Sequence, residues 1–587
     1  MSIGLDIVVV VYNSSKWLTG LIRSLEHSDY PLKDIHLTFV DNDSSDDSVE
    51  KLKKYQSKSK FGSFNLFPLG ENIGFGRANN YGVNQTKQSY IFFLNVDTEV
   101  LPNTISELMN TVKNSSDDIG LWECRQFPYE HPKFYNPITM ETSWSSAAAC
   151  LVNRECFIEI GKFDDNIFMY AEDVDLSWRF RAQGYKLQYV PSSIVYHYTY
   201  QSAGEVKPTQ FYNSTYNNLM LRYKFGTMKD IFKGYVMYNT LFGIAGPSEN
   251  HKRILLKNFF KSIPQGWKFR KWYRKNNKLK FDPNFRMWDY ELVREGAFYE
   301  NELPKDNYLV SILVRTCRRP NVLRETLKSL ENQTYKNIQV VIVEDGEPVS
   351  KEMIEKEFST LNYIYHATEK KVGRCVVGNI ALSLATGEYF NFLDDDDVLY
   401  ADHIEVLLKN ILENPKCDAA YSMAFETPIK IHSKEPYEYT ELFHNIQYKQ
   451  KFNKLIILNQ NYFPIQSVLF SRKLYDKYGG FDLDLEYLED WDLWIRYTMH
   501  SQFKYVEKVT SIYRVPAERT ISSERQQKLD DYLNRVKNKH KDTEMTLTVE
   551  EMREYVEGIA QKTNIIYQIK NMSFKVLIYK VAKKIFR

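Results

Sequence analysis

One segment of domain size occurs twice in this chain, and nothing else in the sequence narrows the fold as much. Asp6-Ile-Val-Val-Val-Val-Tyr-Asn13 is an unbroken apolar run, and the helical pattern after it ends near Ser24-Leu25. Val310-Ser-Ile-Leu-Val-Arg-Thr-Cys317 repeats the design, with its helix ending near Ser329-Leu330. A second buried run ends in acid in each copy: Leu37-Thr-Phe-Val-Asp41-Asn-Asp43 and Val340-Val-Ile-Val-Glu344-Asp345-Gly346. Asn72-Ile-Gly74-Phe-Gly76-Arg-Ala-Asn-Asn80 then corresponds to Lys371-Val-Gly373-Arg-Cys-Val-Val-Gly-Asn379. After equal intervals come Phe93-Leu-Asn95-Val-Asp97 and Phe392-Leu-Asp394-Asp-Asp396-Asp397. The last matches are Gly161-Lys-Phe-Asp164 with Glu172-Asp173-Val-Asp175, and Gly479-Gly-Phe-Asp482 with Glu489-Asp490-Trp-Asp492.

Continuous apolar strands alternating with helical patterns predict an α/β fold with a mostly parallel sheet covered on both faces. Such sheets bind ligands at the carboxyl ends of their strands, where these acids fall in order. The charge balance, 77 basic against 75 acidic residues, gives no global signal for nucleic acid. Six cysteines without a C-x-x-C pair read as reduced core thiols, not a zinc site or disulfide frame. No signal-peptide pattern opens the chain and no apolar run reaches a membrane span, so a cytoplasmic protein is expected. Residues from about 205 to 300, rich in Tyr, Lys and Trp, read as a helical extension and linker. After Glu557 no acidic residue occurs, and Phe574, Leu577, Ile578, Val581 and Ile585 follow helical spacing among lysines. That tail is the expected place for peripheral contact with the inner face of the membrane.

The paired motifs suit transfer chemistry on a diphosphate-activated substrate. A departing diphosphate builds negative charge, which a divalent ion held by a short acidic motif neutralises. Asp394 and Asp396 answer that need, as do Asn95 and Asp97 with one neutral ligand; Asp395 sits within the second motif. An attacking hydroxyl needs a carboxylate base, for which Asp173 and Asp490 are the candidates, supported by Glu172 and Glu489. These acids also open helices, where the macrodipole favours them. His197, after a strand, is a candidate third metal ligand. At the comparable place the second copy has Arg514, which could face phosphate.

At these residues the sequence resembles glycosyltransferase family 2, inverting enzymes of the GT-A, Rossmann-like fold. The resemblance covers about 1–225 and about 307–520. It implies two GT-A domains in tandem, over 1–225 and 305–525, with a helical extension and linker over 226–304 and a helical C-terminal region over 526–587. The first copy resembles the bacterial rhamnosyltransferase and galactofuranosyltransferase branch. Family resemblance implies that Asp41 and Glu344/Asp345 contact the nucleotide base. It also implies Mg²⁺ or Mn²⁺ at Asn95/Asp97/His197 and at Asp394/Asp396. Tyr12, Asn72, Gly74, Asn80, Asn95, Thr316, Gly373, Asn379, Asp395 and Arg514 complete the expected nucleotide-sugar contacts, and Trp144 and Trp491 the acceptor side. The expected partners are nucleotide-diphosphate sugars and a lipid-linked or oligosaccharide acceptor of a bacterial surface polysaccharide. Two other readings stand beside this one: a single active domain with a degenerate acceptor-binding partner, and a non-catalytic nucleotide- or glycan-binding scaffold. Paired base and metal motifs weigh against the scaffold, and no G-x-x-x-x-G-K loop or Ser/His nucleophile motif points to another chemistry.

Overall fold

A computed structural model describes residues 3–199, 205, 207–275, 279–296, 304 and 307–563. The basic tail expected to touch the membrane, residues 568–587, lies outside these. The chain divides into two compact units, one ending at Glu302 and the next starting at Leu303.

The first unit is built on strands β1 (Leu5–Val11), β2 (Ile35–Asp41), β3 (Ser63–Pro68), β4 (Tyr90–Leu94), β5 (Thr98–Val100), β6 (Ile119–Phe127), β7 (Ala149–Asn153) and β8 (Lys186–His197). They form one sheet in the order β3-β2-β1-β4-β7-β6-β8-β5. Its β3-β2-β1-β4 half is parallel, and β7 enters antiparallel to β4 and β6. Val, Ile and Phe from both faces of β1, β2 and β4 are buried, which explains why those strands read as continuous apolar runs. A short hairpin of β9 (Phe285–Arg286) and β10 (Asp289–Tyr290) closes the unit.

The second unit repeats the plan. Its strands are β11 (Val310–Thr316), β12 (Ile338–Glu344), β13 (Tyr363–Ala367), β14 (Tyr389–Asp394), β15 (Val398–Leu399), β16 (Cys417–Lys434), β17 (Tyr437–Glu441), β18 (Asn445–Ile446), β19 (Val468–Ser471) and β20 (Gln502–Pro516). Their order, β13-β12-β11-β14-β19-β16-β20-β15, is that of the first sheet strand for strand, with β17 and β18 added on β16. In both sheets the strand order reverses beside the first strand, so a crevice forms between its end and that of the fourth.

Each unit also carries helices beyond its sheet. In the first, helices Pro208–Phe225, Met228–Thr240 and His251–Lys275 share an aromatic core around the buried Trp178 with the helix Glu172–Gln183. In the second, the helix Arg519–Lys539 reaches the core through Val536. Among the described residues, no helix is long and apolar enough to cross a membrane.

Two candidate active sites

In the first unit, β1 and β2 deliver Tyr12, half exposed, and Asp41, 3 % exposed, to the crevice. Asp41 accepts a hydrogen bond from the Ser44 amide on Oδ2, while Oδ1 is buried without a partner. A buried carboxylate oxygen left unpaired is costly, so it suits a ligand donor. The side chains of Asn42 and Asn72 bond each other and cap the loop that follows, holding the amides of Ile73 and Gly74. Gly74 has φ +90°, and a Cβ there would lie 2.5 Å from the Phe168 carbonyl oxygen, so glycine is required. Asn80 is used by the G-x-F-D turn: its amide nitrogen donates to the Phe163 carbonyl and its oxygen accepts from the Phe163 amide.

Beyond β4, Asn95 and Asp97 meet His197 from the end of β8. His197 Nε2 lies 3.4 Å from Asp97 Oδ1 and 3.5 Å from Asn95 Nδ2. Gln126 Oε1 stands 2.8 Å from Nδ1 and Thr199 Oγ1 stands 2.7 Å from Nε2, so both ring nitrogens have a partner. Asp97 also accepts from the Thr199 hydroxyl; burial raises its pKa, but these two partners hold it below the usual carboxylate range. Asn95 Oδ1 is buried without a partner. An orphaned amide oxygen, a carboxylate and an imidazole nitrogen that meets only the Thr199 hydroxyl and the Asp97 edge are the kinds of donor a small divalent cation takes. Among the described residues no three His, Cys, Asp or Glu side chains converge as a metal-binding group, so any such site draws on Asn95.

The base candidates follow a strained turn. Tyr170 and Ala171 both have positive φ, 67° and 65°, immediately before Glu172 and Asp173 open their helix. Asp173 accepts from the Val174 amide. Its other backbone partner is Ala147, whose neighbour Ala148 accepts from the Asn95 amide, so one short segment links base and cation-facing residues. Burial pushes both acids up, Glu172 to about 8 with help from the Asp173 charge and Asp173 to about 6. A wall beside them holds Trp144, with His131 edge-on at 5.5 Å and Lys133 over its ring at 5.2 Å; Lys133 is ion-paired to Glu123.

The second unit fills the same positions differently. Leu5 and Val310 pair with Tyr90 and Tyr389 alike, so Arg315 stands where the first copy has Val10. Arg315 grips Asp394 with two nitrogens, at 2.7 and 3.0 Å, and reaches Glu489 with a third at 2.9 Å. Arg319 pairs with Asp395 and, at 3.1 Å, with Asp396. Thr316 donates to Asp395, and the Arg514 amide donates to Asp397. As they stand, Asp394 and Asp396 do not fit a metal ion, because guanidinium groups already occupy their charge. Glu344 is fully enclosed by Ser350 and Tyr365, while Asp345 holds the amides of Val372 and Gly373, the job shared by Asn42 and Asn72 in the first unit. Asn379 repeats the turn contact of Asn80, on Phe481.

Asp490 again follows a left-handed residue, Leu488 at φ 61°, and accepts from the Trp491 amide and the Asn461 side chain. Burial and the Glu489 charge push it up to about 7. Trp491, expected on the acceptor side, is 1 % exposed and donates its indole N–H to the Ile457 carbonyl. Arg514, read as a phosphate contact, gives its guanidinium to Glu325 at 2.7 Å and to the Tyr439 hydroxyl at 2.7 Å. A buried guanidinium must be paired; here Glu325 on the helix Pro320–Glu331 supplies the carboxylate, and Tyr439 on the hairpin added on β16 the hydroxyl. Arg514 is also not the register counterpart of His197. Val100 pairs with Val195 and Leu399 with Ser511, and Phe127 and Phe425 oppose Tyr196 and Ile512, so that place belongs to Tyr513. The connection from the base helix to the last strand is one residue shorter in the second unit, Glu489 to Gln502 against Glu172 to Lys186, and that shifts the count by one.

Residue counting also missed a lysine in each unit. Lys224 bonds Asp164 at 2.6 Å and Asp175 at 2.5 Å; Lys539 bonds Asp482 at 2.5 Å and Asp492 at 2.7 Å. Each lysine thus joins the G-x-F-D turn to the third acid of the E-D-x-D helix, closing the loop that carries the base.

The model of the Glycosyl transferase family 2 matches residues 6–164 and 311–479, over half the chain and both units. The chain belongs to that family. An uncharacterized glycosyltransferase of Rickettsia prowazekii is 29 % identical over 236 residues, 38 % of this chain and 69 % of its own length. One from Rickettsia conorii is 23 % identical over 445 residues, 70 % of this chain and 63 % of its own length, somewhat under two thirds. The N-acetylglucosaminyl-diphospho-decaprenol L-rhamnosyltransferase of Mycobacterium tuberculosis is 24 % identical over 246 residues, covering 34 % of this chain and 78 % of that protein. The protein is therefore a glycosyltransferase with two tandem family 2 domains of the GT-A type.

Proposed function

We propose that both domains transfer a sugar, with inversion, from nucleotide-diphosphate donors to a growing bacterial surface glycan, one after the other. The observation that carries this reading is the buried E-D pair held by a strained turn at a strand-end crevice, present in both units. Asp173 and Asp490 are the bases. Each is partly held by a backbone amide and raised by burial toward neutral pH, the range in which a carboxylate can take a proton from a hydroxyl. Asp41 and the loop held by Asn72 receive the nucleotide in the first site. Glu344 is spent internally, so in the second site Thr316 and the Asp345-held loop take that part. In the first site Asn95, Asp97 and His197 would hold Mg²⁺ or Mn²⁺, which supplies charge to the departing diphosphate. In the second, Arg315 and Arg319 already neutralise the acidic run, and no metal step is assigned there.

Rhamnosyl or galactofuranosyl transfer is proposed for the first domain, and a lipid-linked or oligosaccharide acceptor for both. The mycobacterial rhamnosyltransferase supports the donor class. A second reading, with the second domain retained only to bind acceptor, is favoured by one observation: its acidic run is closed by arginine. A donor screen by nucleotide release, on wild type, Asp173→Asn and Asp490→Asn, tests both. Two donors, each lost in a different mutant, are expected; no donor consumption that depends on Asp490 would leave a single-site enzyme.

A further inference from the structure

The helix His251–Lys275 of the first unit has two unlike faces. One is buried: His251, Leu255, Ser262 and Phe269 pack inward, and Gly266 lies so close to the Tyr223 ring that a Cβ would meet it at 2.4 Å. The opposite face exposes Leu256 by 51 %, Phe260 by 63 %, Ile263 by 40 % and Trp267 by 45 %. These four recur at helical spacing, so they form one continuous apolar stripe along the axis. Lys252, Arg253, Lys257, Lys261, Lys268 and Lys271 are exposed around it, and the helix contains no Asp or Glu.

We propose that this stripe docks the first domain on an anionic lipid surface, the helix lying in the plane of the interface. Bulky apolar side chains in water gain from entering the acyl boundary, and lysines beside them reach lipid phosphate with their stems along the apolar surface. Each basic residue near an anionic leaflet adds to the attraction, with no acid on the helix to oppose it. A second copy of the chain is a poorer occupant. A two-fold contact sets the same patch against itself, which places Lys257, Lys261 and Lys268 against like charge. The inference does not depend on the transferase reading, because binding is measured without substrate. It also places the contact on a helix far in sequence from the basic tail.

The test is flotation of the full-length chain with vesicles of phosphatidylcholine alone and of phosphatidylcholine mixed with phosphatidylglycerol. Binding to the mixed vesicles, absent on phosphatidylcholine alone and lost in high salt, is expected. Leu256→Ser/Phe260→Ser and Lys257→Glu/Lys268→Glu should each lower the bound fraction about tenfold or more, by apolar and charge loss respectively. Far-UV circular dichroism and the thermal unfolding midpoint of the same variants should be unchanged, which shows that they fold. The proposal fails if the wild type does not float, or if both variants float as well as it does, which would assign the binding to residues 568–587. It also fails if Leu256 and Phe260 prove instead to drive concentration-dependent self-association in the absence of lipid.

Discussion

The two units share a strand order and a buried E-D pair, yet they neutralise the crevice in opposite ways. The first leaves acceptor atoms open: Asp41 Oδ1 and Asn95 Oδ1 have no partner, and His197 turns a nitrogen toward Asp97. The second closes its acids with protein cations, Arg315 on Asp394 and Glu489 and Arg319 on Asp395 and Asp396. One substitution on the first strand, valine to arginine, carries most of that difference, because the side chain sits between the acidic run and the base pair. Duplicated folds thus keep the backbone that aims the groups and vary the charge around them. By contrast, the lysine that ties the G-x-F-D turn to the base helix recurs in both, although one comes from the helix Pro208–Phe225 and the other from the end of Arg519–Lys539.

The strongest way to break the comparison is to remove one base at a time. Asp173→Asn and Asp490→Asn should each reduce one sugar addition by about 10²–10⁴-fold. With both donors present, product analysis should show an acceptor stopped at a different length in each, and mixing the mutants should restore the full product. Unchanged products from Asp490→Asn would end the two-site reading. Chelation should separate the sites next. Transfer dependent on Asp173 should fall by at least about a hundredfold in excess chelator, since the ion supplies several kcal/mol of charge stabilisation. Transfer dependent on Asp490 should fall far less; equal loss at both sites would mean that Arg315 and Arg319 yield to a metal.

The lysine ties predict a graded effect. Lys224 is 2 % exposed, and its loss leaves Asp175 to Arg179 and Asp164 to Asn166 with one buried cation gone, so Lys224→Met should cost about 3 kcal/mol of stability in denaturant unfolding. Lys539 is 34 % exposed and Asp492 keeps Arg496 and His540, so Lys539→Met should cost about 1 kcal/mol or less. Equal costs would show that burial does not set the strength of the tie. The smallest effect is in pH. A base works only when ionised, so activity rises with pH through its pKa. The acid limb of kcat/KM should lie near 6 for the Asp173 reaction and near 7 for the Asp490 reaction, measured with each donor separately. Because each base is coupled to its neighbouring glutamate, the limb reports the pair.

Much of the fold was legible in the sequence because its signals are local and doubled. Unbroken runs such as Val8–Val11 and Val340–Val343 read as strands buried on both faces, and the second strand of each unit ends in an acid, Asp41 and Glu344. The E-D pairs were legible as helix openings for the same reason. Residues whose roles depend on partners far along the chain were not. Asn80 and Asn379 pattern like ligand contacts, yet they tie a turn some hundred positions later in the second unit and some eighty in the first. Trp491 looks like an acceptor platform in a motif, yet the fold buries it.

The sequence by itself determined that there are two α/β domains of one family, the order of their strands' chemistry, and where each E-D pair opens its helix, because hydrophobic period and helix-start signals act over a few residues. Tertiary structure alone decided the charge state of each crevice. Whether Asp394 faces a guanidinium and Asn95 faces none depends on which strands lie side by side, and whether Tyr513 or Arg514 takes the place of His197 depends on the strand ladder, entered after a connection one residue shorter. A one-residue shift turns a side chain to the other face of a strand, and no local pattern records it.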